Sequence, residues 1–134
     1  MKTSGIYSAV LLFLLLLVAP ICLRGADKPL TENDKIEALI RHLETLKDAT
    51  FIRNGSDYDA TVAARFLRGK WEAHAKEIKT AMDFIDKVAS VSSTTGKPYV
   101  IRFKGAREVK CGDYLKEQLK KLENNKPAKP KDGA

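Results

Sequence analysis

The chain has 134 residues, 44% of them hydrophobic and 31% charged, with a formal net charge of +7. That length builds one domain rather than two. Two cysteines exclude a disulfide framework or a four-cysteine zinc site, two histidines exclude a His-rich metal site, and neither a Walker phosphate loop nor a dinucleotide glycine fingerprint is present.

Lys2 precedes a mostly apolar run centred on residues 10–18, Pro20 breaks the helix behind it, and Gly25 and Ala26 offer small residues for cleavage. The pattern reads as a secretory signal over residues 1–25. The run is at the short end for spanning a bilayer. Ile21 precedes Cys22 where a lipidated chain needs a small residue, so lipidation is not the expected fate of Cys22. Removing 1–25 takes away Lys2 and Arg24 and leaves +5, of which +2 sits beyond Glu123, so the folded part, 26–123, is only about +3. Such a charge does not argue for nucleic acid and suits, at most, mild attraction to anionic envelope material. Cys111 is then left without a cysteine partner, and stability rests on the apolar core.

Thr31 is a good N-cap with Asp34 three residues on, and Ile36, Leu39, Ile40, Leu43 and Leu46 recur at helical spacing. The spacing predicts a helix to about Lys47, with His42 on its solvated side. Phe51 and Ile52 form a short buried segment, and Asn54-Gly55 is a turn signal. Ser56 or Asp57 caps a second predicted helix over 58–75, with Val62, Ala63, Phe66, Leu67 and Trp71 apolar. Gly69 weakens it, and Arg65 and Arg68, three apart, share a face. Thr80 caps a third helix carrying Ala81, Phe84, Ile85, Val88 and Ala89. After the polar loop 92–96, Tyr99, Ile101 and Phe103 alternate with Val100 and Arg102 as a strand, and residues 107–109 return it. A last helix spans 114–123, Cys111 is a small buried hydrophobe beside it, and 124–134 is a disordered basic tail. The fold class expected is α+β, mainly α: about four helices with one small antiparallel β-hairpin.

Five ordered blocks carry a family resemblance: Phe51-Ile52-Arg53-Asn54-Gly55; Ala63-Ala64 with Leu67-Arg68 and Lys70; Thr80-Ala81 with Phe84-Ile85; Ala89-Ser90 with Ser92-Ser93; and Gly96-Lys97-Pro98-Tyr99. Over residues 31–123 the chain resembles the YfeK-like family of small exported Gram-negative proteins, a domain of unknown function. The resemblance implies bacterial origin and a periplasmic location, and no activity. The family pattern often has a histidine where this chain has Phe66, which marks that position as a packing site rather than an essential base.

Three constellations bear on function. The first is the basic set Arg53, Arg65, Arg68, Lys70 and Lys97: guanidinium forks match carboxylate or phosphate geometry, and Arg53 in a turn could converge with Arg68 on one anion. Its structural alternative is helix capping and pairing with Asp57, Asp59 or Asp83. The second is the hydroxyl-rich loop from Ser92 to Tyr99, which offers donors and acceptors to a sugar or a partner's cleft. Its Thr95-Gly96-Lys97-Pro98-Tyr99 stretch is similar to the Ser-Gly-Tyr loop of periplasmic lysozyme inhibitors, although a basic domain is electrostatically mismatched to a basic lysozyme. The third is nucleophilic chemistry at Ser92, Ser93 or Cys111, for which His42 and His74 are the available imidazoles and no catalytic motif is present.

The expected function is a noncatalytic binding or accessory module, with binding residues Arg53, Asn54, Arg65, Arg68, Ser92, Ser93, Lys97 and Tyr99. It meets an anionic envelope component or a partner protein in the periplasm, with no catalytic residue, metal, cofactor, nucleic acid or membrane span after signal cleavage. The alternatives are an inhibitor of a wall-degrading enzyme acting through the Ser92–Tyr99 loop, a small hydrolase, and a purely structural role for every one of these residues.

Overall fold

The computed structural model describes residues 28–105 and 107–125; the expected signal segment and the tail beyond Asn125 lie outside them. Helix α1 (Glu32–Glu44) starts at a reciprocal capping box: Thr31 Oγ1 accepts from the Asp34 N–H at 3.1 Å, and Asp34 Oδ2 accepts from the Thr31 N–H at 2.9 Å. Its stripe of Ile36, Leu39, Ile40 and Leu43 is buried. His42, expected in solvent, is half-buried and lies 2.8 Å from the Tyr114 hydroxyl.

The single hairpin expected from the sequence is one part of a four-stranded antiparallel sheet. Strands β1 (Ala49–Arg53), β2 (Ser56–Tyr58), β3 (Val100–Phe103) and β4 (Glu108–Lys110) lie in the order β2-β1-β3-β4. Asn54 and Gly55 both take positive φ, 51° and 79°, which makes the two-residue turn that folds β2 back onto β1. Ser56-Asp57-Tyr58 carries no apolar alternation, so β2 is held by its pairing rather than announced by its pattern. About half of the described residues are helical, so the fold is α+β with a substantial sheet rather than a helical domain with a hairpin.

Register sorts the sheet into two faces. Phe51 stands opposite both Ile101 and Tyr58, and Ala49 opposite Phe103, giving an apolar inner face. Strand alternation puts Arg53 on this same face, at the end of β1. The outer face carries Arg102, 2.8 Å from Glu108 and 3.4 Å from Asp57, all exposed.

Helix α2 (Ala60–Ala73) is capped by Asp59, whose side chain accepts from the Val62 N–H at 2.8 Å. The earlier candidates, Ser56 and Asp57, are taken up by β2. Helix α3 (Ala81–Asp83), capped by Thr80 and Asp83, runs directly into a π-helical stretch (Phe84–Ala89). The α and π windings bury the same Phe84, Ile85, Val88 and Ala89, so the pattern does not distinguish them. Ser90 follows this stretch, its hydroxyl donating to the Ile85 carbonyl at 2.6 Å. Helix α4 (Cys111–Asn124) starts earlier than its pattern suggests, and its Gly112 is pressed onto Ser90. Lys35, Glu32, Glu123 and the Ala81 N–H link α1, α3 and α4: Lys35 Nζ is 2.6 Å from Glu32 and 3.0 Å from Glu123, and Glu32 Oε2 accepts from Ala81 at 2.8 Å.

A β-carbon on Gly112 would overlap the Ser90 hydroxyl and stand 3.1 Å from the Ser90 Cβ. Gly112→Ala therefore costs on the order of 1–3 kcal/mol in denaturant unfolding, and adding Ser90→Ala restores part of it. An unaffected single variant would contradict the close approach. A second expectation concerns acid. The Thr31 hydroxyl and N–H hold Asp34 below the ordinary 3.8, and the Lys79 and Thr80 N–H groups do the same for Asp83. Lowered carboxyls stabilise the fold above their unfolded value and lose that contribution as pH falls through their folded values. Thermal scans below about pH 4 should thus show the wild type losing stability more steeply than an Asp34→Asn, Asp83→Asn variant.

Candidate functional site

The inner-face position of Arg53 brings its side chain against α2. Its guanidinium carbon lies 4.2 Å from the centroid of the Phe66 ring, a cation–π stack. Arg53 Nε is buried and has no hydrogen-bond partner. Phe66 meets Tyr99 edge-on at 6.0 Å between ring centroids. Lys70, one turn along α2, donates to the carbonyls of Val88 at 3.1 Å and Val91 at 3.0 Å and to the Tyr99 hydroxyl at 3.4 Å. Those carbonyls belong to the end of the π stretch and its exit, where the helix leaves them without helical partners. Burial, and then the charge of Arg53, draw the Lys70 pKa below its ordinary 10.5.

Between α2 and the loop 92–99 lies a groove of about 440 Å³. Arg53, Arg65, Lys70, His74, Ser93 and Thr94 line it, with Phe66, Gly69 and Tyr99 completing its walls; among the described residues no carboxylate lines it. Neither Arg53 nor Arg65 pairs with an acidic side chain among the described residues. Lys70 spends its three N–H groups on the fold; Arg53 and Arg65 do not.

Of the residues singled out in the sequence, Arg53, Arg65, Lys70, Ser93 and Tyr99 meet at this groove. Asn54 and Ser92 instead build the loop that bounds it. Asn54 Nδ2 donates to Ser92 Oγ at 3.2 Å, Thr95 Oγ1 donates to Asn54 Oδ1 at 2.6 Å, and the buried Ser92 hydroxyl also accepts from the Thr94 and Thr95 N–H groups. Arg68 turns to α1, where its Nη2 lies 2.9 Å from Glu37 Oε2. That carboxylate raises the Arg68 pKa and keeps the side chain out of the groove. The Lys97 side chain is exposed and does not line the groove, while its carbonyl accepts from the Ser92 N–H at 2.9 Å. Tyr99 and Ser92 are buried, Tyr99 at the groove wall and Ser92 inside its own loop. Burial pushes the Cys111 thiol up to about 12, leaving it a neutral packing group at ordinary pH. Phe66, Gly69 and His74 complete the site; their spacing along one side of α2 is the signal that could have joined them to Arg65 and Lys70.

Among the described residues, no group of three His, Cys, Asp or Glu side chains is placed to hold a metal ion, and no helix is long and apolar enough to cross a membrane. Residues 30–123 match a family of unknown function, DUF5329. The chain belongs to that family. It is also similar to the uncharacterized protein YfeK of Salmonella typhimurium, 47% identical over 68 residues. That match covers 51% of this chain and 57% of the relative's own length. The likeness to the YfeK-like proteins read from the ordered blocks therefore holds. No solved structure matches the chain.

Lys70→Met should strip the Val88 and Val91 carbonyls of their donor and lower unfolding stability by about 1–3 kcal/mol. Chemical denaturation checks it, and a variant as stable as the wild type would show that the lysine does not hold this helix end.

Proposed function

We propose that the domain is a noncatalytic binding module whose groove between α2 and the loop 92–99 receives an anionic group. One observation carries this reading: the groove is lined by the guanidinium groups of Arg53 and Arg65, neither of which pairs with a carboxylate among the described residues, and no acidic residue is among its lining. A guanidinium without a carboxylate partner keeps forked N–H donors for an entering oxyanion, which accepts from them in charge-assisted hydrogen bonds. Arg65 adds a second fork, and Ser93 and Thr94 add uncharged donors. Gly69 supports the reading. A β-carbon there would meet nothing within 4 Å, yet a mid-helix glycine costs about 1 kcal/mol relative to alanine. The chain forgoes that stability at a position lining the groove, where any side chain would narrow it.

On this proposal the module works in the periplasm with an anionic envelope component as its ligand, a reading supported by the apolar run behind Lys2. Co-sedimentation with cell-wall sacculi at low and high salt tests it. Wild-type protein should pellet at low salt and be released at high salt, because exposed charge pairs are screened. Arg65→Gln should weaken retention about tenfold, in line with the roughly 1.5–3 kcal/mol of a charge-assisted hydrogen bond. Lys97→Gln, outside the groove, should change it little. Equal losses from both variants would reduce the effect to general charge, and no retention would remove the envelope ligand.

A further inference from the structure

A second, smaller cavity of about 90 Å³ adjoins the groove. Phe51, Leu67, Val62 and Ala63 give it apolar walls, and it shares Arg53, Phe66 and Tyr99 with the groove. The stacked Arg53 and Phe66 thus line both spaces, a guanidinium beside an aromatic ring at their shared boundary. Val62 stands 40% exposed, an uncovered apolar side chain among the residues of this cavity. An exposed valine beside an apolar pocket, next to an unpaired guanidinium, fits a ligand that is apolar at one end and anionic at the other.

We infer that the site takes a small amphiphilic anion, a carboxylate on a short aliphatic chain. Its head meets Arg53 and Arg65, and its chain enters the pocket beside Val62. The inference rests on the anion-binding reading of the groove and adds the apolar half of the ligand. The pocket sets the chain's size. Its volume is below the roughly 150 Å³ in which a dry cavity encloses benzene, so a few methylenes fill it and a ring does not fit within it.

A chain-length series tests this on the purified protein, with acetate, propionate, butyrate, valerate and hexanoate titrated by calorimetry or by amide NMR shifts. Affinity should rise about fourfold per methylene, the value of one buried CH₂, and then level off once the pocket is full. Val62→Gln should flatten that rise while leaving acetate binding unchanged. Arg65→Gln should weaken every member by the same factor and leave the rise intact. Butanol should bind far more weakly than butyrate. If acetate binds and the longer acids bind no better, the anion groove stands and the amphiphile is wrong. If butanol matches butyrate, the pocket is apolar only, and both readings fall. If no acid binds, both fall as well.

Discussion

One ammonium group joins the parts that make the site. Lys70 Nζ reaches from α2 to the carbonyls of Val88 and Val91 and to the Tyr99 hydroxyl. Those three acceptors belong to the end of the π stretch, the start of the polar loop and the lead into β3. Without the lysine, the helix end would present carbonyls to a half-buried space, and the loop would lose its hydrogen bonds to α2. The same junction is closed from the other side by Ser90, which caps Ile85 and lies against the bare Cα of Gly112. The groove is the space that remains between α2 and the loop once these contacts are made.

Arg53 owes its position to a different constraint. The Asn54-Gly55 turn ends β1 immediately after it, and pleat alternation turns it inward with Phe51. An inward cation at the edge of an apolar face needs compensation. Phe66 supplies a ring face, but a ring does not accept for the edge N–H groups. The fold therefore leaves a charged donor half-buried and unmet beside a second unpaired guanidinium at Arg65. Arg68, only three residues further on, is neutralised by Glu37 and serves the packing of α1 on α2. Neighbouring arginines on one helix thus play different parts, decided by whether a carboxylate from another element reaches them.

Much of the helical framework was legible in the sequence. Thr31 and Thr80 cap the helices they were expected to cap, and the apolar stripes of α1 and the π stretch are buried as their spacing demands. The sheet was half legible. Tyr99-Val100-Ile101-Arg102-Phe103 alternates cleanly, whereas Ala49-Thr50-Phe51-Ile52-Arg53 shows too short an apolar core to be told from a buried turn. Its pairing with β3 is a long-range contact that no local pattern encodes. At the site, residue type identified Arg53, Arg65, Lys70, Ser93 and Tyr99, but not what each would face. Ser92 looked like an exposed loop hydroxyl and is buried at the centre of its own loop's hydrogen bonds. Side-chain partners drawn from elements remote in sequence made that difference, as they did for Arg68.

On the proposal made above, the unpaired Arg53 guanidinium is an anion's contact. The arginine side-chain Nε–Hε signals, observed by NMR during a titration with butyrate, address it atom by atom. The Arg53 signal, assigned by its loss in Arg53→Lys, should shift progressively and become slower to exchange with solvent, with Arg65 following and Arg68 unmoved. An Arg53 signal that stays in place while butyrate perturbs other arginines would contradict the claim and return Arg53 to a purely structural role.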